Sequence, residues 1–185
     1  MDLVISSGLL LITLPVLATA MAVTRLTSKG PALYRQIRLG QGGRPFEILK
    51  IRTMVNDAEK RGPQWASKSD KRITPVGGFF RKSRIDELPQ LWNVARGDMS
   101  LVGPRPERPE FVRDLENQIP FYRARLCVRP GITGWAQVKH SYTDTVEGSK
   151  MKLEFDLYYI KHRSLFLDIL VIGKTIKTIF LLRGT

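Results

Sequence analysis

The start of the chain constrains its fold most. From Leu3 to Val23 the residues are apolar, small or hydroxylated, Asp2 is the only charge before Arg25, and the run has no polar face. That is about the length a helix needs to span a bilayer, and it ranks a buried core helix last. Pro15 stands near the middle, where a missing N–H and a crowding ring kink or break a helix. Two outcomes stay open: a kinked crossing, or a hairpin that leaves on the side it entered. A cleaved signal peptide fits less well, because no basic stretch precedes the apolar run. Arg25, Lys29, Arg35 and Arg38 follow it, so what comes next is expected in the cytoplasm.

The remaining chain is long enough for one domain with a real core, 185 residues in all, and its net charge is +13. Such an excess points to a polyanion: nucleic acid, an anionic membrane face or phosphorylated substrates. A nucleic-acid binder is disfavoured by the apolar start and by the absence of a recognisable binding motif. Cys127, the single cysteine, excludes an internal disulfide, and it shows no metal-ligand spacing with His140 or His162.

Chemistry concentrates in Arg81-Lys82-Ser83-Arg84-Ile85-Asp86-Glu87-Leu88-Pro89-Gln90. Proline is tolerated in a first helical turn, so Pro89 puts Asp86 and Glu87 at or just before a helix N-terminus. There the free amides and the helix dipole favour anions, which predicts a carboxylate ionised at neutral pH and able to attack phosphorus. Its neighbour is free to hold a hard metal ion through oxygen. The competing reading is a solvated charge cluster.

Ala32–Leu39 and Arg44–Arg52 read as strands of a hairpin turned by Gly40, Gly42 and Gly43. Period two places Lys50 and Arg52 on one face with Phe46 and Ile48, where two cations suit phosphate contact or simply protect an edge. Asn56 to Asp70 reads as a short helix and a loop, and Phe79-Phe80 as a core or membrane contact. In Gly103-Pro104-Arg105-Pro106 the flanking prolines stiffen the backbone, so the Arg105 fork loses little entropy on meeting phosphate. A helix is expected from Glu107 to about Ile119, and Phe121–Leu126 sets aromatics beside cations, as a lipid interface or a core-covering helix would. Arg129 to Val138 reads as a Pro-Gly turn and a short strand, and His140–Gly148 as a polar loop. Lys150–Lys161 is expected to be helical. So is Leu165–Leu182, capped by Ser164 and interrupted by Asp168, Lys174 and Lys177, with Arg183 at its end, as an interfacial helix would be.

Four runs together carry a resemblance: Lys50-Ile51-Arg52-Thr53-Met54, Ser83 to Gln90, Gly97 to Pro106, and Pro130-Gly131-Ile132-Thr133-Gly134-Trp135. In their order and content the chain resembles the bacterial sugar transferase family, the monotopic phosphoglycosyl transferases, over nearly its whole length, and the exopolysaccharide type in particular. The resemblance implies an α+β fold in one catalytic domain. Residues 1–25 would form a re-entrant membrane helix broken at Pro15, and residues 26–185 a cytoplasmic and interfacial part with a small β-hairpin and amphipathic helices. The family's usual serine before that proline is replaced here by Leu14, with Thr13 one residue back. Many members carry a further N-terminal region, and this chain resembles the catalytic part alone.

The implied activity is transfer of a sugar 1-phosphate from a UDP-sugar to membrane polyprenyl (undecaprenyl) phosphate, with release of UMP. It would run by a ping-pong route through a covalent phosphosugar on Asp86, at the cytoplasmic face of the bacterial inner membrane. Glu87, with Asp86, would hold Mg²⁺. Arg105 is the first candidate for substrate phosphate, followed by Lys50 and Arg81, with Arg52, Pro104 and Pro106 completing the expected site. The alternative is a catalytically silent, membrane-attached assembly module. The identity of the sugar and the oligomeric state, a homo-oligomer included, are open.

Overall fold

The structure, a computed structural model, describes residues 2–60, 62, 70–140 and 145–181. Most of the expected loop after Lys60, the polar segment 141–144, and Leu182 and Arg183 lie outside them.

Helix α1 (Asp2–Thr27) is long and apolar enough to cross a membrane and exposes Val4, Leu11 and Ile12. Helical structure continues through Pro15, so the proline does not split it into two elements. A proline deletes a single ladder bond. Around it hydroxyls turn back onto the backbone, Thr13 donating to the Leu9 carbonyl at 2.7 Å and Thr19 to the Pro15 carbonyl at 2.9 Å. Both ends of α1 are tied to the same body. Asp2 pairs with Arg129 at 3.3 Å, and Arg52 donates to the carbonyls of Lys29 (2.6 Å) and Ser28 (2.8 Å) just past its C-terminus.

The expected hairpin is present. Strand β1 (Leu33–Leu39) pairs antiparallel with β2 (Pro45–Ile51), from Leu33 opposite Ile51 to Leu39 opposite Pro45. The turn uses Gly42 and Gly43 at φ 68° and 76°, left-handed values that favour glycine. Phe46 and Ile48 pack on Val94 and Met99, while Ile51 on the opposite face joins Ala20 of α1 and Phe80. Phe79 is exposed. Residues 56–60 form turns rather than the expected helix.

Helix α2 (Pro75–Ser83) is capped by Thr74 and ends at Arg84, held left-handed at φ 55°. A 3₁₀ turn, Ile85–Glu87, then leads through Pro89 to α3 (Gln90–Arg96). Asn93 of α3 locks the free edge of β2, accepting from the Leu49 amide at 3.1 Å and donating to the Glu47 carbonyl at 2.7 Å.

Strand β3 (Ser100–Val102) runs parallel to β4 (Gly131–Thr133). The glycines flanking them meet backbone to backbone: a Cβ on Gly131 would stand 2.1 Å from the Gly103 nitrogen. That contact joins two of the sequence runs. The second strand stops at Thr133, and residues expected to prolong it form α5 (Trp135–Lys139). Helix α4 (Pro109–Glu116) and α6 (Val146–His162) enclose a core of Val112, Leu115, Ile119, Tyr122 and Leu153. In the 3₁₀ segment Tyr122–Cys127 the lipid-interface expectation holds for neither Tyr122 nor Arg125, which are buried, although Phe121 beside it is exposed. Helix α7 (Leu165–Phe180) has the Ser164 cap and buries Val171 against Val102 and Tyr159. Its other flank exposes Leu165, Phe166, Ile169 and Ile176 along with Lys174 and Lys177, as a helix lying on lipid would.

Candidate active site

Asp86 and Glu87 sit together in the 3₁₀ turn ahead of α3, only 8% and 7% exposed. A surface charge cluster would be solvated, so that reading fails for the two acids. Their surroundings differ sharply. Glu87 Oε1 accepts from Arg105 Nη2 at 2.7 Å and Lys50 Nζ at 3.4 Å, and Oε2 from Arg84 Nη1 at 3.1 Å. Among the described residues Asp86 has no hydrogen-bond or ion-pair partner, although Lys50, Arg105 and Arg81 all act on its charge. Arg81 keeps a buried Nη1 with no acceptor. Gln90, one residue past Pro89, is also buried with neither amide atom bonded.

These surroundings move the two acids apart. Burial, then the adjacent Glu87 carboxylate, push the Asp86 carboxyl up to about 6. Burial also opposes ionisation of Glu87, but Arg105 and Lys50 outweigh it and hold that carboxyl far below the usual range. The helix-start field was expected to keep the carboxylate ionised at neutral pH. Asp86 does stay ionised there, yet with a raised affinity for protons, because burial and the Glu87 carboxylate outweigh Lys50, Arg105 and Arg81. Burial, followed by Arg105, lowers the Lys50 ammonium to about 8 against the pull of Glu87 and Asp86.

Of the expected site residues, the structure therefore gathers Asp86, Glu87, Lys50 and Arg105, with Arg81 close by. Pro104 and Pro106 are buried and shape the loop that projects Arg105. Arg52 is not brought to the cluster. It shares a face with Lys50 as period two requires, but its guanidinium is spent on the carbonyls after α1. Two participants were missed. Arg84 had a signal, its place three residues before Glu87 in a run of cations. Gln137, which accepts from Arg105 Nη1 at 3.1 Å, had none in the sequence.

The donor set also tests the fit of Mg²⁺. No group of three or more potential ligands occurs among the described residues, so a cage built wholly from protein is absent there. Asp86 has both oxygens free, and Glu87 Oε2 carries one partner and retains a lone pair. Such a pair fits an ion that takes one or two carboxylates and completes its shell with substrate phosphate and water.

Residues 1–182 match the family model for bacterial sugar transferase. The chain belongs to the bacterial sugar transferase family. It is 52% identical over 163 residues, 88% of its length, to a UDP-N-acetylgalactosamine-undecaprenyl-phosphate N-acetylgalactosaminephosphotransferase of Aeromonas hydrophila, and covers 38% of that protein. It is 43% identical over 181 residues to a UDP-glucose:undecaprenyl-phosphate glucose-1-phosphate transferase of Caulobacter vibrioides, covering 97% of this chain and 68% of the relative. A transferase of the same description from Escherichia coli is 39% identical over 177 residues, of which this chain spans 38%. The chain thus covers well under half of some curated relatives and about two thirds of others.

Proposed function

We propose that this family member moves a sugar 1-phosphate from a UDP-sugar to polyprenyl phosphate, releasing UMP, in two displacements through Asp86. The observation that carries the reading is the asymmetry of the dyad: Glu87 is bound by three cations, whereas Asp86 is buried, unpartnered and raised in basicity. A carboxylate acidified like Glu87 is a poor nucleophile. Asp86, ionised at neutral pH yet electron-rich, is the better one.

In the first step an Asp86 oxygen attacks the sugar-bearing phosphorus. The bond from that phosphorus to the bridging oxygen breaks, and its electron pair leaves with UMP. In the second step a phosphate oxygen of the polyprenyl acceptor attacks the same phosphorus, and the Asp86 carboxylate is the leaving group. Arg105, Lys50 and Arg81 hold phosphate oxygens and offset the charge that builds on them. Mg²⁺ on Asp86 and Glu87 would add neutralisation of the diphosphate. The relatives' names, with N-acetylgalactosamine and glucose, choose the first donors to try.

The acceptor's tail stays in lipid, so the cluster must face the headgroup level. Ties at both ends of α1 to one body support a helix that enters and leaves the bilayer on the same, cytoplasmic, face of the inner membrane. A simple crossing would carry one end away from that body.

The test is a UMP-release assay with UDP-sugars and undecaprenyl phosphate, joined to trapping of the enzyme with donor alone. Protein-bound phosphosugar that is lost in Asp86→Asn is the expected result. UMP release without any adduct would replace the two-step route by direct transfer. Absence of UMP release with every donor would favour a silent assembly module.

A further inference from the structure

Joined to the site through the Arg105 backbone is a second polar cluster, sealed from solvent. Arg125 and Asp156 are 5% and 1% exposed, and their Nη2 and Oδ2 atoms meet at 2.7 Å. A buried ion pair adds little to stability, because desolvation offsets most of the Coulomb gain. The other contacts of Arg125 are therefore informative. Its Nη1 donates to the Tyr122 hydroxyl at 2.8 Å, and its Nη2 to the backbone carbonyl of Arg105 at 3.0 Å.

That carbonyl is one of four in succession, all held. The Pro104 carbonyl accepts from the Gly131 amide at 2.9 Å, Pro106 from Arg38 Nη1 at 3.1 Å, and Glu107 from the Leu39 amide at 3.0 Å. The segment is a loop, yet each of its peptides is pinned to a strand or to a buried arginine. From it the Arg105 side chain reaches Glu87 and Gln137.

We propose that Arg125 and Asp156 are positioning residues for Arg105. Asp156, on the regular scaffold of α6, orients Arg125, and Arg125 fixes the peptide from which the phosphate-binding guanidinium projects. Loops hold a group less well than helices and strands, and misplacement by about 1 Å can cost up to about 10²-fold in rate. This inference rests on the proposed role of Arg105 toward phosphate.

The test is a double-mutant cycle on the full chain in lipid, read as kcat/KM for the UDP-sugar with melting temperature alongside. Arg125→Lys keeps a cation beside Asp156 but loses the fork, whose one prong holds the Tyr122 hydroxyl while the other meets Asp156 and the Arg105 carbonyl. It is expected to keep the fold and lower kcat/KM about tenfold or more. In an Arg105→Ala background the same change should cost nothing further, because the group it positions is gone. Should Arg125→Lys fail to fold, Arg125→Met with Asp156→Leu removes the pair without leaving a buried charge. That double variant is expected to fold, its melting temperature set by the gain of apolar packing against the freed Arg105 carbonyl and Tyr122 hydroxyl, and still to lose activity. Parent-like kcat/KM in either variant, or a loss that adds in full to Arg105→Ala, overturns the inference while leaving the reading of Arg105 intact. A parent-like Arg105→Ala overturns both.

Discussion

The opposed shifts of Asp86 and Lys50 make a quantitative claim about pH. In the proposed two-step route the first displacement needs Asp86 deprotonated and Lys50 protonated, and these groups sit at about 6 and about 8. kcat/KM for the UDP-sugar should therefore be bell-shaped, rising with pH through about 6 and falling above about 8. One pH unit beyond either limb the competent fraction drops to about a tenth. In a two-step reaction kcat/KM for the donor reports only the donor half-reaction, so the acceptor phosphate, which titrates near 6 itself, does not enter. Rates of UMP release at low donor, from pH 5 to 9.5 at fixed Mg²⁺, give both limbs. Lys50→Arg supplies the internal control: a guanidinium stays protonated across the range, so the alkaline limb should vanish while the acid limb remains. The proposed Mg²⁺ on the dyad would favour the charged carboxylates, so raising its concentration should draw the acid limb down. A flat profile from pH 5 to 9, or an acid limb that stays near the ordinary carboxylate value as Mg²⁺ is lowered, would refute the assignment of a buried, unpaired Asp86 as nucleophile.

Other consequences follow from the same contacts. The folded-state value of Asp86 lies above its unfolded value of 3.8, so the ionised carboxylate destabilises the fold once pH exceeds the unfolded value, at a cost on the order of 2–3 kcal/mol at neutral pH. Asp86→Asn should thus raise the melting temperature at pH 7.5 while abolishing turnover, and the gain should fade toward pH 4; a lower melting temperature at pH 7.5 would count against the burial argument. Arg52→Met strands two carbonyls after α1 and should cost about 2–5 kcal/mol, with faster hydrogen exchange at residues 24–30 and an unchanged KM for the UDP-sugar. A raised KM would return Arg52 to the substrate site. In a Cys127→Ser background, single cysteines at positions 2 and 29 should both be labelled from the cytoplasmic side of inverted vesicles; labelling from opposite sides would mean a crossing.

Much of the candidate site was legible in short runs because local geometry carries it. Pro89 limits how a helix can begin, so the dyad had to lie at its start. Gly42 and Gly43 permit the left-handed turn that closes the hairpin. The prolines around Arg105 declare a stiff presentation. Arg52 misled because period two states which face a side chain leaves from, and says nothing of what awaits its far end. Arg125 misled for a related reason: an arginine beside aromatics reads as interfacial until Asp156, far along the chain, is seen to neutralise it.

By itself the amino-acid order determined the apolar first helix, the hairpin, the Ser164 cap and the neighbouring acids, since each depends on residues a few positions apart. Only the tertiary structure decided that Asp86 and Glu87 behave differently. Lys50, Arg84 and Arg105 come from three separate segments and converge on one carboxylate of the pair, leaving the other buried and bare. Burial and long-range charge, which set protonation and nucleophilicity, depend on distance in space, and the linear order of residues does not contain that distance.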